Sequence, residues 1–141
     1  MKPEFETDYN KRIYQVYNAA RSLPEDTKRL WMDEISKYIS NNSNLTFLDL
    51  GSGTGRFSSL IADHFTCNVI GIEPSEKMLE TAHSSNRNPN VKFTKGDAYN
   101  IPEADSFFSF AWLSMVIHHI ADKDRCAKEL SRVLRKDGLI F

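Results

Sequence analysis

The sequence predicts an α/β protein built on a doubly wound, mostly parallel sheet. Three observations point there. From Leu45 onward, short apolar runs alternate with amphipathic ones, the pattern of strands joined by crossover helices. The stretch "LTFLDLGSGTGRFSSLIADHF" hands an apolar run to a helical one through Gly51, Gly53 and Gly55. Such a turn lies beyond the carboxyl end of a first strand, where sheets of this class bind ligands. Finally, 141 residues with 40% hydrophobic content suffice for one core and not for two.

The elements follow in order. Tyr9, Ile13, Val16, Tyr17 and Ala20 recur at helical spacing, as do Leu30, Trp31, Ile35, Tyr38 and Ile39. "RSLPED" breaks the two, with Pro24 near the first position of the second helix and acids in its first turn. "SNNSN", 40–44, reads as a loop. Strands are expected over 45–50, 68–73, 90–97, 107–114 and 138–141. Helices are expected at about 56–64, 75–84 and 122–134. In the last of these, Cys126, Ala127, Leu130, Val133 and Leu134 form an apolar stripe against Lys128, Glu129, Arg132 and Arg135. The chain divides into a helical segment, 1–44, and an α/β core, 45–141.

Bulk properties narrow the function. Net charge is -1 with no clustered basic stripe, so no nucleic-acid surface is indicated. Cys67 and Cys126 match no paired metal-ligand spacing, and no metal is expected. The N-terminus lacks an apolar signal core, and the run 107–117 is too short to span a bilayer. No membrane partner and a cytoplasmic location are the expectations.

The glycine turn separates two ligand classes. A dinucleotide fingerprint, G-x-G-x-x-G, would need glycine where Arg56 stands. Here the pattern is D-x-G-x-G-x-G, and Asp49 would repel a pyrophosphate and attract an ammonium group. A nicotinamide-dependent oxidoreductase is therefore disfavoured, and a zwitterionic ligand suits the turn.

"LDLGSGTGRF" resembles the first motif of the class I S-adenosylmethionine-dependent methyltransferases. "VIGIEPSEKML", "FTKGDAYNIP" and "FFSFAWLSMVIHHIAD" are similar to the second-, third- and fourth-strand motifs, in order and spacing. The resemblance implies a Rossmann-like sheet in the order 3-2-1-4-5, a helical N-terminal lid, and S-adenosyl-L-methionine as cofactor, with S-adenosyl-L-homocysteine as product. It implies that Gly51, Ser52, Gly53, Thr54 and Gly55 back the methionine and ribose portions, with Asp49 at the amino-acid end. Glu73, 22 residues after Gly51, would take both ribose hydroxyls, since a carboxylate accepts from two O–H donors. Pro74 and Ser75 would turn and cap the next helix, and Met78 would lie along the adenine. Asp97 and Ala98 would meet the adenine amino group and ring, and Leu113 would lie near the methionine part. Tyr17 and Arg21, four apart on one helical face, would reach the cofactor carboxylate from the lid. Many relatives carry Asp where Ser109 stands, a departure expected to affect local capping. His118 and His119 follow the fourth strand as in many small-molecule methyltransferases, and no catalytic residue is assigned.

The implied activity is methyl transfer to a small-molecule acceptor, in which positioning alone supplies on the order of 7–11 kcal/mol in favourable cases. The alternative is a cofactor-binding module without turnover. The chain stops at "GLIF", where relatives continue with a helix and an antiparallel hairpin. That predicts a fragment or a chain completed by a partner. It also predicts an exposed fifth-strand edge and self-association through it.

Overall fold

The computed structural model describes residues 23–40 and 44–141. The expected helix around Tyr9–Ala20, with Tyr17 and Arg21, lies outside the described residues. The described elements are α1 (Glu25–Ser36), β1 (Thr46–Leu50), α2 (Arg56–Phe65), β2 (Asn68–Glu73), α3 (Glu76–Ser85), β3 (Val91–Lys95), β4 (Phe108–Trp112), a 3-10 turn (Ile117–His119), α4 (Lys123–Val133) and β5 (Leu134–Ile140). The five strands form one sheet in the order β3-β2-β1-β4-β5, and every pairing is parallel. Order and direction are those read from the sequence.

The sheet has two buried faces because alternate side chains of each strand point to opposite sides. Phe47, Val69, Val91 and Phe110 face α1, α2 and α3, where Met32, Ile61 and Ala82 meet them. Leu48, Ile72 and Ala111 face α4, where Cys126, Leu130 and Val133 meet them. Burying side chains such as Phe47 and Leu48, both 0% exposed, stabilises the fold by about 1.5–3 kcal/mol apiece. Cys67 and Cys126 are buried free thiols.

Two expectations need correction. In α1 the inward residues are Met32 and Ile35, while Leu30 and, beyond the helix, Tyr38 are exposed. The helix ends at Ser36 and packs through a narrower stripe, with Trp31 stacked on Phe57 of α2 at 5.9 Å. The fifth strand begins at Leu134, not Gly138; Leu134 and Arg135 leave the helix and enter the strand. The pairing Phe108 with Leu134 is followed by Phe110 with Leu139. Two steps along β4 thus match five along β5, a surplus of three residues that falls in the segment from the exposed Arg135, Lys136 and Asp137 to Gly138. Of these residues the sequence reading placed Arg135 on the polar face of the preceding helix and Gly138 at the start of the strand.

Local contacts hold the crossovers that frame the strand ends. Ser75 caps α3, accepting from the Met78 N–H at 3.3 Å, and Asp122 caps α4, accepting from the Arg125 N–H at 2.9 Å. Arg132 donates to the Ile101 and Glu103 carbonyls at 2.9 Å each, and Glu129 accepts from the Ile101 N–H at 2.8 Å. These bonds fasten the segment after β3 onto α4. Ser109, the departure from the family pattern, is buried and accepts from the Thr46 N–H at 3.3 Å. It joins β4 to the start of β1.

Candidate functional site: the cleft at the carboxyl ends of the strands

The glycine turn is fastened to β2. The N–H groups of Gly51 and Ser52 both donate to the Ile72 carbonyl, at 2.8 and 3.1 Å. Glu73, next along β2, takes the Gly53 N–H on one carboxylate oxygen and the Ser75 N–H on the other, each at 2.9 Å. One carboxylate therefore spans the turn after β1 and the turn after β2. It is 6% exposed. Burial pushes its pKa up, while the Ser75 and Gly53 N–H groups pull it back.

Gly51, Gly53 and Gly55 all have φ between 56° and 80°, the left-handed region that side chains disfavour. Space excludes a side chain as well at two of them. A Cβ on Gly51 would lie 2.4 Å from Val116 Cγ2, and one on Gly55 would lie 2.3 Å from Phe93 Cζ. Gly71 of β2 makes way for the same ring, with a Cβ there 2.6 Å from Phe93 Cδ1. The Phe93 ring is thus the floor on which the turn rests, a contact between distant segments that no local sequence pattern signals.

Asp49 sits beneath the turn rather than in the cleft. It is 2% exposed, and its Oδ2 accepts from the Ser58 hydroxyl at 2.5 Å. Burial raises its pKa to about 7; Ser58 and Arg56 oppose that rise, and the Glu73 carboxylate adds to it.

Two adjoining cavities open above the turn. The smaller, about 90 Å³, is lined by Gly51, Gly53, Glu73, Pro74, Met78, Met115, Val116 and His119. The larger, about 460 Å³, is lined among others by Asp97, Ala98 and Tyr99 of the segment after β3 and by His118 and His119 of the turn after β4. Gly51, Pro74, Val116 and His119 border both, so the two form one divided cleft. Asp97 is solvent-exposed and accepts from the Tyr99 N–H at 2.7 Å. The Tyr99 hydroxyl accepts from the Asp122 N–H at 3.0 Å.

Of the residues singled out from sequence, Gly51, Gly53, Glu73, Pro74, Met78, Asp97 and Ala98 line this cleft. Ser52, Thr54, Gly55, Ser75 and Asp49 support it from behind and are buried. Leu113 packs against the α4-side core and lines neither cavity. Sequence reasoning missed Val116, which borders both cavities, and Tyr99. His118 and His119 were noticed without a role. The described residues hold no helix long and apolar enough to cross a membrane and no cluster fit to hold a metal ion.

Residues 48–141 match the family model described as "Methyltransferase domain". The chain is 29% identical over 140 residues to the demethylmenaquinone methyltransferase of Lactobacillus johnsonii, covering 94% of this chain and 57% of that protein. It is 31% identical over 128 residues to the demethylmenaquinone methyltransferase of Thermotoga maritima, covering 89% of this chain and 53% of that protein. A solved structure from Methanococcus maripaludis superposes with a TM-score of 0.77 over 99% of this chain and 65% of that one, at 21% identity, a likeness of fold. The chain spans about half the length of the curated relatives it matches.

Proposed function

Because the chain belongs to the methyltransferase domain family, we propose that its cleft binds S-adenosyl-L-methionine and serves methyl transfer to a small-molecule acceptor. One observation carries the reading. Glu73 lines the cleft with each carboxylate oxygen held by a single backbone N–H, so each keeps acceptor capacity. A vicinal diol such as a ribose offers two O–H donors to match.

The rest of the cleft fits the same ligand. Gly51 and Gly53 present backbone without side chains to it, leaving room for a close approach. Pro74 and Met78 give an apolar wall for a purine ring, and Asp97 with the neighbouring Ala98 N–H offers an acceptor and a donor for its edge. Ser52, Thr54, Gly55 and Ser75 act by shaping the two turns. The sulfonium of such a cofactor supplies an electrophilic methyl group. This chain's residues bind and orient, and the walls exclude water, which is where the rate gain of positioning arises.

The experiment is calorimetry of the 141-residue chain with S-adenosyl-L-homocysteine and, separately, NAD. Heat of binding with the first and none with the second is expected. A folded sample silent to saturating S-adenosyl-L-homocysteine overturns the proposal.

A further inference from the structure

One buried ionisable group has no direct part in holding the cofactor. Asp49 lines neither cavity, yet it stands at the end of β1, two residues before Gly51, which borders both. Each element around it contributes a neighbour. From α2 come the Ser58 hydroxyl, which donates to Oδ2 at 2.5 Å, and Arg56, whose guanidinium lies over the Phe57 ring at 4.9 Å. From β2 comes Glu73, a second buried carboxylate, which lines the smaller cavity. From β4 comes Trp112, the register partner of Asp49, which carries no charge. His119 borders both cavities beyond the turn.

Two buried carboxylates thus meet the pull of one guanidinium, which is the weakest of the influences on Asp49. Burial outweighs the Ser58 bond and holds the Asp49 carboxyl at about 7, so near neutral pH it is poised between acid and carboxylate. Gly51 and Gly53 contribute backbone alone to the cleft wall, and buried charges are little screened by salt. A cation entering the cleft therefore favours the ionised form of Asp49. S-adenosyl-L-methionine and S-adenosyl-L-homocysteine share their ribose, adenine and amino-acid groups. They differ by one methyl group and by the positive charge on sulfur, and the charge is what separates them at a distance.

Resting on the methyl-transfer reading, we propose that Asp49 distinguishes the two cofactor forms by charge, ionising when the sulfonium enters and taking up a proton once the thioether is left. The proton goes to water and returns from water. Between those events the acceptor takes the methyl carbon. The carbon–sulfur electron pair stays on sulfur, which is left neutral. Coupling between two bound species is reciprocal, so what the cation does to the Asp49 proton, the proton does to the cation. A rise in pH through neutrality tightens substrate relative to product.

The test is calorimetry of wild type and Asp49→Asn with both cofactor forms at pH 5.5 and pH 7.5. In wild type the preference for S-adenosyl-L-methionine over S-adenosyl-L-homocysteine is expected to rise by about fivefold or more across that interval. In Asp49→Asn it should change by no more than about twofold, a comparison that also removes the ligands' own titration. The 13C signal of the Asp49 carboxyl gives a reading that needs no variant. At pH 6.5 it should report carboxylate with S-adenosyl-L-methionine bound and acid with S-adenosyl-L-homocysteine bound. A wild type that binds both forms with a preference flat in pH overturns the discrimination and leaves the cofactor reading standing. An equal rise in Asp49→Asn overturns the assignment to Asp49. So does a carboxyl signal that is the same in both complexes, whether or not the variant folds. A folded wild type that binds neither form overturns the cofactor reading itself, and this inference with it.

Discussion

The Ser58 hydroxyl donates to Asp49 Oδ2 at 2.5 Å inside the protein, tying the end of β1 to the first turn of α2 around the glycine loop. Together with Glu73, which holds Gly53 from the β2 side, the bond fixes the loop by two buried carboxylates. The acid that the motif places before the glycines acts on the loop from beneath.

Stability should therefore fall with rising pH in a way that Asp49 controls. The folded carboxyl titrates near 7 and the unfolded one near 3.8, so the folded state binds the proton more tightly. Its contribution is fully present below about 3.8, is lost as pH climbs toward 7, and then levels off. At 1.36 kcal/mol per pKa unit, raising pH from 5 to 8 costs on the order of 2–3 kcal/mol. Asp49→Asn carries no charge at either pH and keeps an oxygen for Ser58. Urea unfolding of both proteins at pH 5 and pH 8 should show the steeper loss in wild type; parallel losses would remove the claim. Glu73, also shifted upward, acts in the same direction in both proteins, so the difference between them reports Asp49 together with its coupling to Glu73.

Glu73→Ala should weaken S-adenosyl-L-homocysteine binding by about 1.5–3 kcal/mol, the range for hydrogen bonds to a charged group. It should also loosen the loop, because the N–H groups of Gly53 and Ser75 lose their acceptor. Calorimetry gives the first effect and amide exchange at Gly53 the second. Unchanged affinity would place the diol elsewhere.

The Phe93 floor makes a paired prediction. Gly71→Ala puts a methyl group 2.6 Å from the ring and 2.8 Å from Ser52 Oγ, an overpacking worth about 1–3 kcal/mol. Phe93→Leu should recover a large part of it, a coupling that a double-mutant cycle reads directly. Gly55→Ala should not be recovered so fully, since its φ of 80° strains any side chain whatever the ring does. Equal recovery at both glycines would count against that distinction.

What the sequence disclosed follows from the range of each interaction. The bounds of β2 were read without error because "NVIGIE" is an apolar run closed by an acid and Pro74, a purely local signal. Gly51, Glu73 and Asp97, which line the cleft, were singled out because three stretches resemble family motifs in strand order. Arg135 was misassigned because a charged residue after a helix stripe looks the same whether the chain stays helical or bulges into a strand; the pairing with β4 decides. Phe93 beneath Gly55 and Val116 beside Gly51 are contacts across 38 and 65 residues of sequence, and no periodicity encodes them. Ser58 has the look of a surface helix residue, yet it is 0% exposed because Asp49 needs a donor there.

The outer edge of β5 predicts weak, concentration-dependent self-association. Among the described residues β5 pairs with β4 alone, which leaves a row of backbone donors and acceptors facing outward. Arg135, Lys136 and Asp137 are exposed and interrupt the ladder, the kind of charged irregularity that guards an edge. The guard ends at Gly138. Leu139 and Ile140, 39% and 51% exposed, follow without a charge, so only a short apolar segment is open to a second copy. A short segment gives weak pairing: light scattering should show monomer at micromolar concentration and a rising mean mass toward millimolar. Ile140→Lys, which extends the charged guard along the strand, should hold the chain monomeric throughout. A constant monomer mass for wild type across that range would show that the guard alone suffices.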